Sequence, residues 1–346
     1  MAKMKKITVG VIGAGRIGKL HIENILQYFP HVQIKSVADP LLDEIWAAHK
    51  SIQHLYRDAE PIFSDKNIDA VLICSPVALH VPHIIAAAHS QKHIFCEKPI
   101  ALNLQQIADA LRVVKKSNVI LQVGFNRRFD ANFAKIKSIL QNQTIGKPHV
   151  LRITSRDPDI PSADYLKSSS GMFLDMTIHD FDMARFLLGS EIEEIYASGG
   201  VLIHSLFKEY NDIDTAVVQL KFTDGSLGVI DNSRRAAYGY DQRVEVFGSL
   251  GAVHADNNKP TNTTISTEHG ITTEKPLYFF LERYKESYIA ELQAFFTSVQ
   301  HNQPAMVNGF DGLMSIVAGL AATQSLQENR PVKINHAEWR EYALGV

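Results

Sequence analysis

The sequence predicts an α/β protein: a doubly wound parallel sheet at the N-terminus, then a second α/β domain built on a large, mostly antiparallel open sheet. Two observations predict it. From Ile7 to about Gly124, short β-branched runs alternate with segments of helical length, the grammar of βαβ units. After Phe125 the runs are joined partly by tight turns such as Thr223, Asp224 and Gly225, which favour antiparallel pairing. The change of grammar sets a boundary that gives domains of residues 1–125 and 126–346. With no low-complexity linker, the two are expected to pack closely around a cleft.

Composition narrows the function classes. The chain has 346 residues, enough for two cores, and is 45% hydrophobic and 21% charged, as ordinary globular proteins are. A net charge of -2 provides no field to gather nucleic acid or an anionic membrane, and the pairs Arg127/Arg128 and Arg234/Arg235 are too isolated to change that. Cys74 and Cys96 are the only cysteines, so no disulfide framework is expected and a reducing cytoplasm is the natural setting. The N-terminal apolar run is short, broken by glycine and followed by Arg16, and reads as a strand rather than a signal peptide. The uncharged stretch from Ala70 to Gln91 contains Pro76, Pro82, His80, His83 and His89, which argue against a membrane span. It parses better as a buried strand, a turn at Pro76 and a helix beginning near Pro82.

Element by element, ITVGVI reads as a buried first strand that runs into GAGRIG. There Gly13, Gly15 and Gly18 form a G-x-G-x-x-G turn opening a helix, the arrangement that seats a pyrophosphate on helix N-terminal amides. The next strand, VQIKSVAD, ends on Asp39 about 20 residues on, where an acid can bond both ribose hydroxyls. Strand, turn, helix, strand and acid in this order predict a dinucleotide site. A carboxylate at position 39 repels a 2′-phosphate, so NAD is favoured over NADP. AVLICS, HIFCEK and VILQVGF complete the sheet.

HIFCEK delivers Glu97, Lys98 and Pro99 to a strand carboxyl end, where ligands of such sheets sit. An ammonium there could hydrogen-bond a substrate hydroxyl and stabilise negative charge on its oxygen; the plain alternative is a strand-end lysine reaching solvent. Pro99 fixes the local backbone and leaves a cis Lys98–Pro99 bond open.

Beyond Phe125, HVLRITSR, IEEIYASGGVLI, DTAVVQLKF, SLGVIDNS and RVEVFGS read as strands, with helices at 133–141, 173–188, 284–300 and 311–328. In the second of these helices, bracketed by Gly171 and Gly189, Asp175, His179 and Asp182 fall at i, i+4 and i+7 on one face of an otherwise apolar cylinder. His179 can act as general base for a hydroxyl proton, with Asp175 orienting substrate or raising the imidazole's basicity. A hydrogen-bonded core histidine is the alternative. A metal on His179, Asp180 and Asp182 is disfavoured, because neighbours at i, i+1 and i+3 converge poorly on one ion, and none is expected.

The combination GAGRIGKLH, CEKPIA, GFNRRFD and LDMTIHDFD, in that order, resembles the Gfo/Idh/MocA family of NAD(P)-dependent oxidoreductases over essentially the whole chain. FNRRFDANF and GVIDNSRRAAYGYDQRVEVFGSLGAV are similar to its inositol 2-dehydrogenases. The resemblance implies a Rossmann domain, a second domain whose open sheet commonly forms homotetramers, and oxidation of a ring hydroxyl of a polyol, as in myo-inositol to scyllo-inosose. It implies that Lys98, Asp175 and His179 act together: Lys98 on the reacting hydroxyl and nicotinamide ribose, His179 on the proton, Asp175 on the ring. It also implies that Asn126, Arg127 and Tyr238 line the substrate pocket. The expected cofactor contacts are Gly13, Gly15, Arg16, Ile17, Gly18, Asp39, Ser75, Pro76, His80, Glu97 and Lys98. The chain departs from the family in having Val77 where Asn is common, and Ser170-Gly171 where Gly-Gly often precedes the catalytic helix. A related sugar or cyclitol dehydrogenase and a non-catalytic dinucleotide sensor are the rival readings.

Overall fold

The computed structural model describes residues 6–50 and 52–344. Two compact units emerge: Met1–Asn126 with Tyr288–Met314 and Ala337–Val346, and Arg127–Ser287 with Ser315–His336.

The first unit is built on six parallel strands, β1 (Ile7–Ile12), β2 (Val32–Ala38), β3 (His54–Tyr56), β4 (Ala70–Ile73), β5 (His93–Glu97) and β6 (Leu121–Gly124), in the order β3-β2-β1-β4-β5-β6. This is the strand order of a Rossmann sheet. Val9, Val11, Leu72, Ile73, Ile94 and Phe95 are fully buried, as expected of apolar runs covered on both faces. β1 pairs with β2 on one side and β4 on the other, so the crossovers diverge at this point and open a crevice at the strand carboxyl ends.

A late segment completes this core. The sequence boundary places everything after residue 125 in the second domain, whereas helix Lys285–His301 sends Leu292, Phe295 and Phe296 into the cluster formed by Val9, Ile22 and Phe29. Phe296 meets Phe29 edge to face with ring centroids 5.2 Å apart. Helical periodicity announces that one face is buried; it does not say against which sheet.

The second unit contains β7 (Pro148–Arg156), β8 (Ile192–Gly200), β9 (Thr215–Phe222), β10 (Leu227–Ser233), β11 (Asp241–Gly248), β12 (Gly251–Ala255), an exposed hairpin β13 (Thr264–Thr267) and β14 (Gly270–Thr273), and β15 (Val332–Lys333). Seven of them form one sheet, β12-β11-β7-β10-β9-β8-β15, antiparallel except for the parallel pair β7/β10. The β9–β10 hairpin turns at Gly225, where φ is +86°. Along β9, Ala216, Val218, Leu220 and Phe222 are buried while Val217, Gln219 and Lys221 face water, so period-2 patterning fixes the register. The strand expected over 192–203 stops at Gly200 because the N–H groups of Leu202, Ile203 and His204 all donate to the buried Asp214 carboxylate, at 2.9, 2.8 and 3.1 Å.

Candidate active site

The three glycines of the first turn have different physical reasons. At Gly13, with φ at +94°, a Cβ would lie 2.5 Å from the Cys74 carbonyl carbon, and at Gly18 it would lie 2.0 Å from the Gly13 carbonyl oxygen. Both are required by the protein's own packing. Gly15 is exposed and, its chain neighbours aside, has no heavy atom of the described residues within 4 Å of its would-be Cβ, so packing does not require the missing side chain, whereas close approach of a ligand would use it. Gly15 also caps helix Arg16–Tyr28 without any side-chain bond, leaving the first-turn amides of Arg16, Ile17 and Gly18 to an outside acceptor. Asp39 ties the end of β2 to this turn: Oδ2 accepts from Ala14 N at 2.6 Å and Oδ1 from Leu41 N at 2.7 Å. Uncapped amides, an open glycine and an acid at the neighbouring strand end fit a dinucleotide.

At the next strand ends, Ser75 and Pro76 follow β4, and Ser75 Oγ lies 3.2 Å from His83 Nδ1. His80, expected among the cofactor contacts, is 2% exposed with its two ring nitrogens each 2.7 Å from a backbone carbonyl oxygen, Ser75 O and Pro99 O, the neutral ring donating its single N–H to one of them. It thus ties the loop after β4 to the loop after β5. Burial pushes its imidazole below the ordinary histidine range, against the pull of both carbonyls. Glu97 closes β5 and bonds His21 Nε2 at 2.7 Å; Lys98 follows, half-buried, and the Lys98–Pro99 bond is cis.

In the second unit the segment bracketed by Gly171 and Gly189 is not one regular helix. A π-helical turn over Met172–Met176 precedes the α-helix Ile178–Leu188, and the wider turn changes the angular phase. The wider turn shifts Asp175 in phase relative to His179 and Asp182, which stay three residues apart on the α-helix; Asp182 is 1% exposed and accepts a fork from Arg128 at 2.6 and 2.7 Å. Asp180, fully buried, binds Arg127 at 2.6 Å and Asn232 at 2.9 Å. Both acids beside His179 are thus engaged with structural partners.

Asp175 stands in the π turn with its carboxylate held from three sides. Its Oδ2 accepts from Tyr165 Oη at 2.8 Å, Arg234 Nη2 at 3.3 Å and Ser169 Oγ at 3.4 Å. Arg234 is 3% exposed and also reaches Asp157 Oδ2 at 3.3 Å. Burial pushes the Asp157 carboxyl up, with the Asp175 charge adding to it and Arg234 opposing. His179 lies half-buried on the first turn of the α-helix. Arg234, Asp157 and Tyr165 were not among the sequence candidates; Arg234 stood out only as half of a charged pair.

The three expected pocket residues differ in setting. Arg127 is buried, donating to Asp180 and to Ser155 Oγ at 3.2 Å, with its guanidinium 5.6 Å from the Tyr284 ring centroid. Asn126 is 3% exposed, and its Nδ2 has no partner among the described residues. Tyr238 is 41% exposed; its hydroxyl donates to Asp241 at 2.5 Å and accepts from Arg156 at 3.0 Å.

Comparison with known proteins covers both units. Residues 7–125 match the oxidoreductase family with an NAD-binding Rossmann fold, and residues 133–254 match the GFO/IDH/MocA C-terminal domain. The chain is 49% identical over 328 residues to myo-inositol 2-dehydrogenase of Thermotoga maritima, covering 94% of this chain and 98% of the relative. The crystal structure of a probable dehydrogenase from Thermotoga maritima superposes with a TM-score of 0.93 at 49% identity, covering 96% and 99% of the two chains. The scyllo-inositol dehydrogenase of Lactobacillus casei with bound NAD(H) and scyllo-inositol gives 0.86 at 30% identity, with 95% and 99% covered. A turn shaped for a dinucleotide and a mixed-sheet second unit thus find their counterparts in one set of proteins, matched nearly end to end. This chain belongs to the GFO/IDH/MocA oxidoreductase family, whose N-terminal domain is an NAD-binding Rossmann fold.

Proposed function

We propose that this chain is an NAD-dependent inositol 2-dehydrogenase that oxidises a ring secondary alcohol of a cyclitol to the ketone, with Lys98, Asp175 and His179 as its catalytic residues. The observation that carries the substrate class is the 49% identity to a named myo-inositol 2-dehydrogenase across 94% of the chain. The glycine turn, with Gly15 open and Asp39 beside it, is where NAD fits.

Bound NAD supplies the hydride acceptor. His179 takes the hydroxyl proton, and the Lys98 ammonium stabilises the oxygen as negative charge grows on it. Asp175 accepts a hydrogen bond from a neighbouring ring hydroxyl; Tyr165 and Arg234 hold its carboxylate in one orientation, so little ordering remains at binding. Asn126, Arg127 and Tyr238 complete the polar lining in this reading, with Arg127 acting through Asp180 and Ser155.

The proposal extends to a cytoplasmic homotetramer serving inositol catabolism. One face of the seven-stranded sheet carries Phe247, Val150 and Leu227 side by side in register, with Phe247 48% and Leu227 52% exposed, a surface suited to a second copy. Among the described residues no helix is long and apolar enough to cross a membrane.

The deciding experiment follows NADH absorbance with NAD or NADP over a panel of inositol isomers and aldoses. Turnover of myo- or scyllo-inositol with NAD is expected. Turnover of aldoses alone would replace the substrate assignment, and turnover of no polyol would leave a dinucleotide sensor. Light scattering coupled to gel filtration reads the assembly.

A further inference from the structure

Helix Lys285–His301 brings Glu291 to a place where a charged carboxylate is hard to maintain. The residue is fully buried, and neither of its carboxyl oxygens has a hydrogen-bond partner among the described residues. Its ligand atom and those of His21 and Glu97 all lie within 4.8 Å of one another. His21 is fully buried too, and its Nε2 is already engaged with Glu97 Oε1 at 2.7 Å. The backbone at Glu291 is pinned from the other side, its carbonyl accepting from Gln122 Nε2 at 2.8 Å. Gly124 leaves room for the cluster: a Cβ there would come within 3.0 Å of the Glu97 carboxyl carbon.

We infer that Glu291 carries its proton in the folded protein and, as an uncharged acid facing Glu97 and His21, is a positioning residue for the strand end that bears Lys98. Two ionised carboxylates cannot share so dry a space, and a lone buried carboxylate without donors neutralises instead. Among the described residues no lysine or arginine bonds either of its carboxyl oxygens. His21 on helix Arg16–Tyr28 is engaged with Glu97, Tyr288 on the same helix as Glu291 packs against the His21 ring at 5.9 Å, and the Cys74 and Cys96 thiols are pushed well up by burial and by Glu97. Burial, with the Glu97 charge added, holds the Glu291 carboxyl well above the ordinary range. With its proton, Glu291 adds no second charge beside Glu97, and its ligand atom lies within 4.8 Å of that of Glu97, so a small rotation of the carboxyl lets it donate. Removing this neutral group would leave space beside the Glu97 carboxylate and loosen the end of β5.

The consequence for turnover rests on the proposed function; the protonation state does not, and the test separates them. Infrared difference spectra between wild type and Glu291→Gln are expected to show the carbonyl band of a protonated carboxylic acid at neutral pH, whatever the substrate. Glu291→Gln, which keeps the neutral donor, should preserve kcat and the pH profile of kcat/KM. Glu291→Ala should lower kcat on the order of 10- to 100-fold, the scale of a mispositioned catalytic group. Rescue by Gln distinguishes positioning from mere core filling; should the Ala variant fail to fold, the infrared band and the Gln variant decide. Absence of the band, or a Gln variant as impaired as the Ala variant, overturns the inference. So does activity that is lost to EDTA and restored by Mn²⁺, which would make the cluster a cation site.

Discussion

Arg234, only 3% exposed, donates to Asp175 across 3.3 Å and so fixes the carboxylate proposed to hold the substrate ring. Its second arm reaches Asp157, so one guanidinium stabilises two acids that would otherwise repel each other. Arg234→Leu leaves both uncompensated and is expected to cost about 3 kcal/mol of stability and to raise KM for the polyol more than it lowers kcat. Urea unfolding and steady-state kinetics check this. A wild-type KM in the folded variant would remove Arg234 from the site. Arg234→Lys should recover only part, because an ammonium lacks the fork.

The glycines of the turn should separate fold from ligand. Gly18→Ala, whose Cβ would meet the Gly13 carbonyl oxygen at 2.0 Å, should lower the melting temperature and abolish NAD binding together. The Cβ of Gly15→Ala meets no atom of the described residues within 4 Å beyond its chain neighbours, so its melting temperature should stay unchanged. Its NAD dissociation constant should rise about tenfold, or ~1.4 kcal/mol, by crowding the pyrophosphate. Calorimetric NAD titration beside thermal unfolding reads both, and equal losses of stability in the two variants would contradict the distinction.

Asp39→Ala removes the acceptor of the Ala14 N–H and the negative charge expected to exclude a 2′-phosphate. The ratio of kcat/KM for NAD over NADP should fall by about tenfold or more, consistent with loss of a charge-assisted contact. An unchanged ratio would place cofactor selection elsewhere.

Asp182→Ala breaks the forked pair with Arg128 and removes the carboxylate that compensates a buried guanidinium. A loss of about 3–5 kcal/mol is expected, with kcat and KM of the folded protein unaltered. A selective fall in kcat at unchanged stability would return Asp182 to the chemistry.

His179→Ala and Lys98→Ala should each reduce kcat by about 10²–10⁴, the usual worth of a positioned acid-base group, while NAD affinity is retained. Near-wild-type turnover in either variant would sink its assigned role, and lost NAD affinity would recast it as a cofactor contact.

What was legible in the sequence was what short-range chemistry dictates. The glycine turn and Asp39 were legible because a G-x-G-x-x-G turn between strand and helix has few backbone solutions, and the acid follows one βαβ unit later. The alternation of β9 and the tight turn at Gly225 were legible because a pleated strand has a period of two. The phase of the segment at 172–188 was not, because a π turn of five residues leaves no mark in hydrophobic periodicity and shifts Asp175 relative to the helix that follows; nor was the pairing of Asp182 with the distant Arg128.

The sequence by itself determined the fold class and the glycine turn, and it supplied the candidate groups for the chemistry. Tertiary structure alone decided their company. Arg128 and Asp182 are 54 positions apart, Arg234 and Asp175 are 59, and Gln122 and Glu291 are 169. A charge in a sequence is equally compatible with solvent, an ion pair or a buried neutral state, and only the packing around it, by removing water and supplying or withholding a partner, selects among them.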